Sequence, residues 1–408
     1  MTSTDRRPGI DLYDAATFDG GQPHDQFDWL RANAPVHRHE LPDGGHYFAL
    51  TRHDDVRAVG KDAATFSSEP TIMLDDGAAG ASMGDHKMML MADPPLHTRM
   101  RRMVSREFTP SAARALRPRI DELAARIIDE VIERGECDLV SDIAGEMPSF
   151  VIAELLGIPL EDGRTLYHLT ETLHAAAASV GVEAQQAAFG QMYTYASQVF
   201  AQKREEPGDD LATLLATGAL DDRPVDELDF FLWFVLLVDA GGDTTRNLVG
   251  GGMHALFAHP DQLAALRADP DGVLPTAIEE LLRYVSPVVY MRRRATRDTE
   301  LRGVPIAEGD RVVMYYGAAN RDPEVFDRPH ELDLRRSPNH HVAFGGGGPH
   351  FCLGAHIARI EIDALLRQIL SRLEDLSPAG DAQWLASNFI CGPTHLPVTF
   401  RPGPRTAA

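Results

Sequence analysis

The 408-residue chain has only three cysteines, Cys137, Cys352 and Cys391, and no Cys-x-x-Cys pair. An odd number of cysteines without a close pair supports neither a disulfide framework nor a zinc ribbon, and it is typical of a reducing compartment. The longest apolar run, residues 230–238, is too short to span a bilayer, and the polar start MTSTDRRPG does not resemble a signal peptide. We therefore expect a cytoplasmic protein without a membrane anchor.

Net positive charge is also missing. The chain has 61 acidic and 39 basic residues, a formal net charge of -22, which argues against nucleic acid and anionic membranes as partners. No internal repeat, low-complexity tract or Pro/Ser-rich linker divides the sequence. Since the composition is that of an ordinary globular protein, with 44% hydrophobic and 25% charged residues, we predict one large domain over residues 1–408.

The hydrophobic pattern predicts a mainly α-helical fold with small β-sheets. A helix near residues 26–33 precedes two strands around the turn at residues 42–45. From about residue 110 to 259, apolar residues recur at intervals of three and four positions, which is the pattern of helices. Strands return at residues 311–316, and the alternation over residues 387–400 predicts a final hairpin.

A glycine-rich run, Phe344-Gly-Gly-Gly-Gly-Pro-His-Phe-Cys352-Leu-Gly354, places one cysteine at the start of a predicted helix, residues 353–373. Glycines let the backbone bend sharply and approach a flat ligand closely. Backbone N–H groups after Cys352 and the positive end of the helix favour a thiolate. A thiolate on haem iron favours cleavage of an O–O bond, so the run indicates oxygen activation. The alternative for this run alone is a glycine loop beside a buried structural cysteine.

A second unusual segment is Ala240-Gly-Gly-Asp-Thr-Thr-Arg246, inside a predicted helix at residues 225–257. Glycine costs about 1 kcal/mol in a helix interior, and polar side chains in an apolar stretch need partners. A local widening of the helix would make room for oxygen. We interpret Asp243 as a proton relay and the Thr244 hydroxyl as the holder of a hydrogen-bond network beside dioxygen. The alternative is a kinked core helix in which the threonine bonds its own backbone.

The cysteine run resembles the cysteine loop of the cytochrome P450 family, the haem-thiolate monooxygenases, and the predicted order of elements resembles that family across nearly the whole chain. The resemblance implies the cytochrome P450 fold, haem b as cofactor, Cys352 as the axial iron ligand, and catalytic roles for Asp243 and Thr244. The run has one extra residue, because the family's aromatic residue lies seven positions before the cysteine and Phe344 lies eight before Cys352.

The two propionates of haem need cationic donors when they are buried. His97 and Arg101 match the family's propionate-binding motif His-x-x-x-Arg. Arg293 matches a further family arginine by its distance from Asp298, and Arg292 is the less favoured candidate for that position. For each residue alone, an exposed salt bridge or an ordinary core histidine is the alternative. The predicted cofactor-binding residues belong to these motifs or to the cysteine run: His97, Arg101, Arg293, Phe344, His350 and Gly354.

Glu280 and Arg283 lie three apart on one predicted helix face, close enough to pair. Such pairs are usually exposed and weak, but the family buries this one to brace the cysteine loop. Where the family often has a further arginine this chain has Glu331, so Arg335 or Arg336 is expected to substitute.

The predicted substrate pocket is largely apolar. A methionine-rich stretch over residues 66–91, which includes Met73, Met83, Met88, Met89 and Met91, would suit an apolar ligand. By resemblance, further walls come from segments that face the open side of the haem, and ordinary core packing is the alternative for each. The residues proposed to bind substrate are Ala240, Val288, Val289 and Phe389. Their low charge suggests a lipophilic substrate held by shape.

The resemblance implies a monooxygenase that places one oxygen atom from dioxygen into a C–H bond of a lipophilic small molecule. Residues 243–247, 344–354 and 387–390 look most like actinobacterial enzymes that hydroxylate sterols, branched lipids or terpenoids; a polyketide-like substrate is also compatible. The alternatives are a haem-thiolate ligand-binding or sensor protein and a peroxide-driven oxygenase. The pair of Asp243 and Thr244 argues against both.

The sequence has no dinucleotide-binding βαβ fingerprint and no iron–sulfur cysteine cluster. Electrons are therefore expected from a separate ferredoxin and its ferredoxin reductase. Arginines at positions 99, 101, 102 and 106 could form a basic patch that docks an acidic electron carrier. The alternative is a set of ordinary solvated helix charges.

Overall fold

A computed structural model describes residues 9–75, 85–174 and 181–406 of the chain. Helices account for most of the regular structure, as the sequence predicts. In chain order they are α1 His24–Asn33, α2 His53–Lys61, α3 Leu96–Val104, α4 Pro110–Val131, α5 Glu146–Leu156, α6 Leu160–His174, α7 Val182–Glu205, α8 Leu211–Ala216, α9 Glu227–Ala258, α10 Pro260–Ala268, α11 Pro270–Val285, α12 Tyr316–Ala319 and α13 Ala355–Arg372.

The strands form small sheets. They are β1 Val36–Glu40, β2 His46–Leu50, β3 Phe66–Ser67, β4 Glu136–Asp138, β5 Ala219–Leu220, β6 Arg223–Pro224, β7 Tyr290–Ala295, β8 Thr299–Leu301, β9 Val304–Ile306, β10 Arg311–Tyr315, β11 Glu374–Pro378, β12 Gln383–Trp384, β13 Pro393–His395 and β14 Pro397–Arg401. A five-stranded sheet has the order β1-β2-β10-β7-β3, with β2 and β10 parallel and the other pairs antiparallel. A three-stranded sheet has the order β11-β14-β4.

Strand β10 shows how the five-stranded sheet is packed on both faces. Val313 and Tyr315 belong to one buried apolar cluster, whereas Val312 and Met314 belong to another. Successive side chains of a strand point to opposite faces of its sheet, so both faces of this strand are covered. A near-continuous apolar strand sequence is the expected result.

Helix α9 is the central helix of the largest apolar cluster. It starts with a capping box, in which the Asp226 carboxylate accepts from the backbone N–H of Asp229 and the Asp229 carboxylate accepts from the backbone N–H of Asp226. Its 32 residues correspond to a length of about 48 Å at the usual helical rise. Buried side chains occur on every side of it, from Phe230 to Leu256, which is typical of a helix enclosed by others.

The predictions of a first helix, of strands on either side of residues 42–45, of a long helix near 225–257 and of a helix after Cys352 are confirmed by α1, β1 and β2, α9 and α13. The predicted final hairpin is confirmed by the consecutive antiparallel strands β12 and β13, whose connection contains residues 388–390, although its first strand begins before residue 387. Strand β14 instead pairs with β11 and β4. Alternation predicts a strand but carries no information about its partner.

Within the described residues, no single helix has the length and apolar character needed to cross a membrane, although the bent pair 140–156 and 160–170 passes that test together.

Candidate active site

One cavity lies between α9 and α13, and the glycine-rich cysteine run forms part of its wall. Most of its lining side chains are apolar, and a small group of cationic side chains lies among them. All seven residues predicted to hold the haem line this one cavity, although they come from three separate segments of the sequence. They are His97, Arg101, Arg293, Phe344, His350, Cys352 and Gly354.

Cys352 precedes α13 and is held by a hydrogen bond from its backbone N–H to the carbonyl of Phe344, at 2.9 Å. Its side chain is accessible, but that surface opens into the cavity. Burial raises the pKa of the Cys352 thiol, against the opposing effects of the backbone N–H of Gly354 and of Arg101. The helix end and the cations therefore act in the direction expected from the sequence, but their effect on the pKa is smaller than that of burial. A metal ion bound to this sulfur would favour the thiolate, because coordination deprotonates a thiol.

Two glycines of the run have a role beyond the one expected. A Cβ on Gly346 would lie 2.7 Å from the carbonyl oxygen of Val56, and one on Gly348 would lie 2.3 Å from that of Gly60. These two glycines therefore let the run pack directly on the backbone of α2. Gly348 also has a φ of +79°, which side chains of L residues rarely tolerate.

Four cationic or potentially cationic side chains meet at one end of the cavity. The rings of His97 and His350 are 4.1 Å apart between centroids. Arg101 comes from the same helix as His97 and donates to the carbonyl of Pro349, at 3.2 Å. Arg293 comes from β7, and it, rather than Arg292, lines the cavity. Arg292 instead donates to the carbonyl of Met73, at 2.9 Å.

Within the described residues, the only carboxylate that acts on the pKa values of the cluster of His97, Arg101, Arg293 and His350 is that of Asp93, and it does so without a salt bridge. Burial and the nearby arginines lower the pKa of His97 to about 4 and that of His350 to about 2, and burial lowers the pKa of Arg293. Among the described residues none of the four makes a salt bridge with a carboxylate, and Nδ1 of His97 is buried without a hydrogen-bond partner. A ligand with two carboxylates, such as haem, would supply what this end of the cavity lacks.

Tyr316 is a member of this region that the sequence did not indicate. It is buried at the start of α12 and lines the cavity. Burial raises the pKa of its phenol, and the nearby Arg293 lowers that pKa by a smaller amount. The only sequence feature that could have pointed to Tyr316 was its position directly after strand β10.

The pair of Glu280 and Arg283 is completely buried, with two contacts of 2.7 and 2.8 Å. Arg283 also donates to the carbonyls of Asn320, at 2.9 Å, and Glu331, at 3.1 Å. Arg336 donates from Nε to both Glu280 oxygens, at 3.0 and 3.2 Å. Of the two candidates, Arg336 is therefore the arginine that joins this pair.

A neighbouring network was not predicted. Arg359 of α13 makes two contacts with the carboxylate of Glu279, at 2.6 and 2.8 Å, and His341 makes a third, at 3.1 Å. Burial alone would raise the pKa of Glu279, but Arg359 and His341 bring it down to about 2. This network connects α11 to α13 beside the cysteine run.

On α9, Thr244 and Asp243 point in different directions. Thr244 lines the cavity, and its hydroxyl donates to the carbonyl of Ala240, at 3.2 Å. Asp243 is buried outside the cavity lining, with its carboxylate 3.7 Å from Arg246 on the same helix. The helix is uninterrupted here, so the expected widening is not seen. Gly242 instead makes room for Tyr167 of α6, whose ring would lie 3.1 Å from an added Cβ.

Glu361 of α13 was also missed. It is buried, lines the cavity, and accepts a hydrogen bond from the Thr245 hydroxyl at 3.1 Å. Burial raises the pKa of this carboxyl to about 7, although the bond from Thr245 acts in the opposite direction. A glutamate nine residues after a cysteine carries no distinctive sequence signal by itself.

The predicted substrate-binding residues are only partly brought together. Ala240 and Val288 line the cavity. Val289 and Phe389 do not, because the backbone N–H of Val289 bonds to the Phe389 carbonyl and both side chains pack in a separate apolar cluster. Pro287 and Met291, rather than Val289, join Val288 in the wall.

From the methionine-rich stretch, Met89 lines the cavity together with Leu90. Met73, Met88 and Met91 are not in the lining, and Met83 lies outside the described residues. The stretch therefore contributes one methionine to the wall where the sequence suggested several.

The cytochrome P450 family model matches residues 234–390. The chain is 36% identical to a methyl-branched lipid omega-hydroxylase of Mycobacterium tuberculosis, over 92% of this chain and 90% of that protein. It is 34% identical to a steroid C26-monooxygenase of Rhodococcus jostii, over 96% of this chain and 85% of that protein. A solved structure of a Mycobacterium marinum cytochrome P450 in complex with pseudoionone has a TM-score of 0.87 and 34% identity, and the match covers 98% of this chain and all of that one.

Proposed function

Because the chain belongs to the cytochrome P450 family of haem b monooxygenases, we propose that Cys352 ligates the haem iron and that the cavity oxidises a lipophilic sterol, terpenoid or branched lipid. The observation that carries this proposal is that Cys352 lines the same cavity as four cationic or potentially cationic side chains, none of which makes a salt bridge with a carboxylate among the described residues. They provide one sulfur ligand for iron and donors for two carboxylates.

The residues present fit haem b. His97, Arg101, Arg293 and His350 would hold its propionates, and the N–H groups of Gly354 and Ala355 would stabilise the sulfur of Cys352. When bound, haem supplies the activation of dioxygen. The apolar walls exclude water from the reacting carbon.

Protons are supplied from α9. The Thr244 hydroxyl, which now donates to Ala240, can turn toward the cavity and donate there. Asp243 lies next to it in sequence but on the side of α6, with its carboxylate 3.7 Å from Arg246. We assign Asp243 to proton uptake from that side and Thr244 to the cavity end of the path.

The substrate class is supported by what the relatives' names state. One acts on methyl-branched lipids, another on a steroid at C26, and a third was solved with the terpenoid ketone pseudoionone. The walls of this chain's cavity are correspondingly apolar, with Leu236, Leu237 and Val288 among them.

The electron donor we propose is a ferredoxin with its ferredoxin reductase. Arg102 and Arg106 are exposed at and just after the end of α3, and the 40% exposed ring of Phe351 adjoins Cys352. An acidic protein would be attracted to these arginines. Reduction by a ferredoxin should slow with rising salt and in Arg102→Glu, while reduction by dithionite should not change.

The visible spectrum tests the proposed function. The reduced protein with carbon monoxide should show the strongly red-shifted band of a thiolate ligand, and Cys352→Ser should not. A sterol, a methyl-branched fatty acid or a terpenoid ketone should shift the ferric spin state and give an oxygenated product. Absence of haem, or a band at the histidine-ligated position, would overturn the assignment of Cys352. Steady peroxide release without product would favour a ligand-binding protein, and turnover with peroxide alone would favour a peroxygenase.

A further inference from the structure

Trp233 is a buried polar group that the proposed chemistry does not use. The side chain is 2% exposed and lines the cavity. Its indole N–H makes no hydrogen bond within residues 9–75, 85–174 and 181–406. The indole nitrogen retains a small accessible surface. Tryptophan N–H groups usually find a partner when buried. An acceptor on a molecule bound in the cavity would satisfy this N–H group.

The position of Trp233 on α9 relates it to the reacting end of the cavity. Trp233 precedes Thr244 by eleven residues, which is about three turns, so both lie on one face of the helix. The residues between them on that face, Leu237 and Ala240, also line the cavity. At the usual rise per residue, Trp233 lies about 16 Å along the helix axis from Thr244.

The surroundings favour a neutral partner over a charged one. Asp229 lies one turn before Trp233 on α9, and its carboxylate is already paired with His86 at 2.8 Å and Arg223 at 2.6 Å. The cationic side chains of the cavity lining, with His97, Arg101 and Arg293 among them, form the separate cluster described above. A substrate carboxylate near Trp233 would therefore be buried without a cation to compensate it.

We propose that Trp233 is a specificity-determining residue, whose indole N–H donates to a carbonyl or hydroxyl oxygen of an elongated lipophilic substrate. That oxygen lies at one end of the molecule, and the carbon to be oxidised lies about 16 Å away, beside Thr244. The inference rests on the proposed function and adds the position and kind of the substrate's polar group.

The experiment compares straight-chain 2-alkanones and the corresponding alkanes, from octyl to octadecyl length, in calorimetric titrations of the haem-loaded protein. The wild-type protein should prefer the ketone, with the largest preference at a length near 16 Å. Trp233→Phe keeps an aromatic ring but removes the N–H, so it should weaken ketone binding by roughly fivefold to tenfold and leave alkane binding unchanged.

Trp384→Phe is the matched control, because Trp384 packs edge-on against His254, with ring centroids 5.3 Å apart, and is not in the cavity lining. It should keep the ketone preference. Equal affinity for ketone and alkane in the wild type, a preference that persists in Trp233→Phe, or no binding of either series would each overturn the proposal. The carbon monoxide spectrum of the same Trp233→Phe sample reports on the haem site separately, so a failure of the proposed function would be recognised there.

Discussion

The guanidinium of Arg359 lies 4.5 Å from the centroid of the Phe344 ring. Phe344 accepts the hydrogen bond from the backbone of Cys352, and Arg359 is anchored by Glu279. The cysteine run is therefore held from α11 through one charged pair and one cation–π contact. Arg359 acts on Cys352 through Phe344 and is a positioning residue.

Replacement of Arg359 by Gln should destabilise the cysteine run. It removes the two charge-assisted hydrogen bonds to Glu279, and we expect a loss of roughly 1.5–3 kcal/mol in unfolding free energy. The carbon monoxide band should also shift from the thiolate position toward that of an unligated or histidine-ligated haem during storage. Arg367→Gln is the control, since Arg367 lies on the same helix but pairs with Asp363 and Asp271 near the surface. Similar behaviour of the two variants would remove the special role of Arg359.

Arg283→Met should be among the most destabilising single changes. Arg283 and Glu280 are both fully buried, and removal of one partner of a buried ion pair leaves an uncompensated charge, at a cost of about 3–5 kcal/mol. Arg336 still contacts Glu280 at 3.0 Å, so the loss should fall toward the lower end of that range. Urea unfolding of the haem-loaded protein measures it. A loss below that of an exposed arginine variant such as Arg401→Met would contradict the prediction.

The carboxyl of Glu361 should make stability depend on pH near neutrality. Burial raises its pKa to about 7 from an ordinary value of 4.5, so the folded protein holds this proton more tightly than the unfolded chain does. The contribution is fully present below about pH 4.5 and is lost as pH rises through about 7.

Glu361→Gln keeps a neutral side chain at every pH. The melting temperature of the variant should exceed that of the wild type by little at pH 5 and by much more at pH 8. Glu308→Gln, at an exposed position, should leave the wild-type pH dependence in place. An unchanged difference between pH 5 and pH 8 in Glu361→Gln would show that another group titrates.

Thr244→Ala should separate electron use from product formation. The change removes the hydroxyl at the cavity end of the proposed proton path, and product formed per electron should fall by roughly tenfold to a hundredfold. Thr244→Ser retains the hydroxyl and should restore most of the yield. Substrate affinity, read from the ferric spin-state shift, should change little in either variant. A normal product yield in Thr244→Ala would exclude this hydroxyl from proton delivery.

Short sequence motifs were sufficient to predict the main residues of the site. Cys352, His97 and Arg293 stand in short motifs whose residue types fit one task, and all three line the same cavity. Periodicity was sufficient for the long helices because their apolar pattern repeats over many turns.

Other parts of the site depended on tertiary structure. Whether Val288 or Val289 faces the cavity is decided by a bridge between Val288 and Ile390 and the backbone bond to Phe389, and neither can be read from two adjacent valines. Glu361 becomes unusual only because the fold buries it in the cavity wall, where its hydrogen-bond donor is Thr245, 116 positions away. The role of Gly346 depends on α2, which is distant in the sequence.

The different directions of Asp243 and Thr244 make α9 a partition between two compartments. On one side are Arg246 and Tyr167, with a charged and polar character, and on the other is the apolar cavity. Under the roles proposed for Asp243 and Thr244, a substitution on α6 would alter the supply of protons without touching a group that selects the substrate. Catalytic efficiency and substrate range would then change independently during evolution, although the two groups are adjacent on one helix.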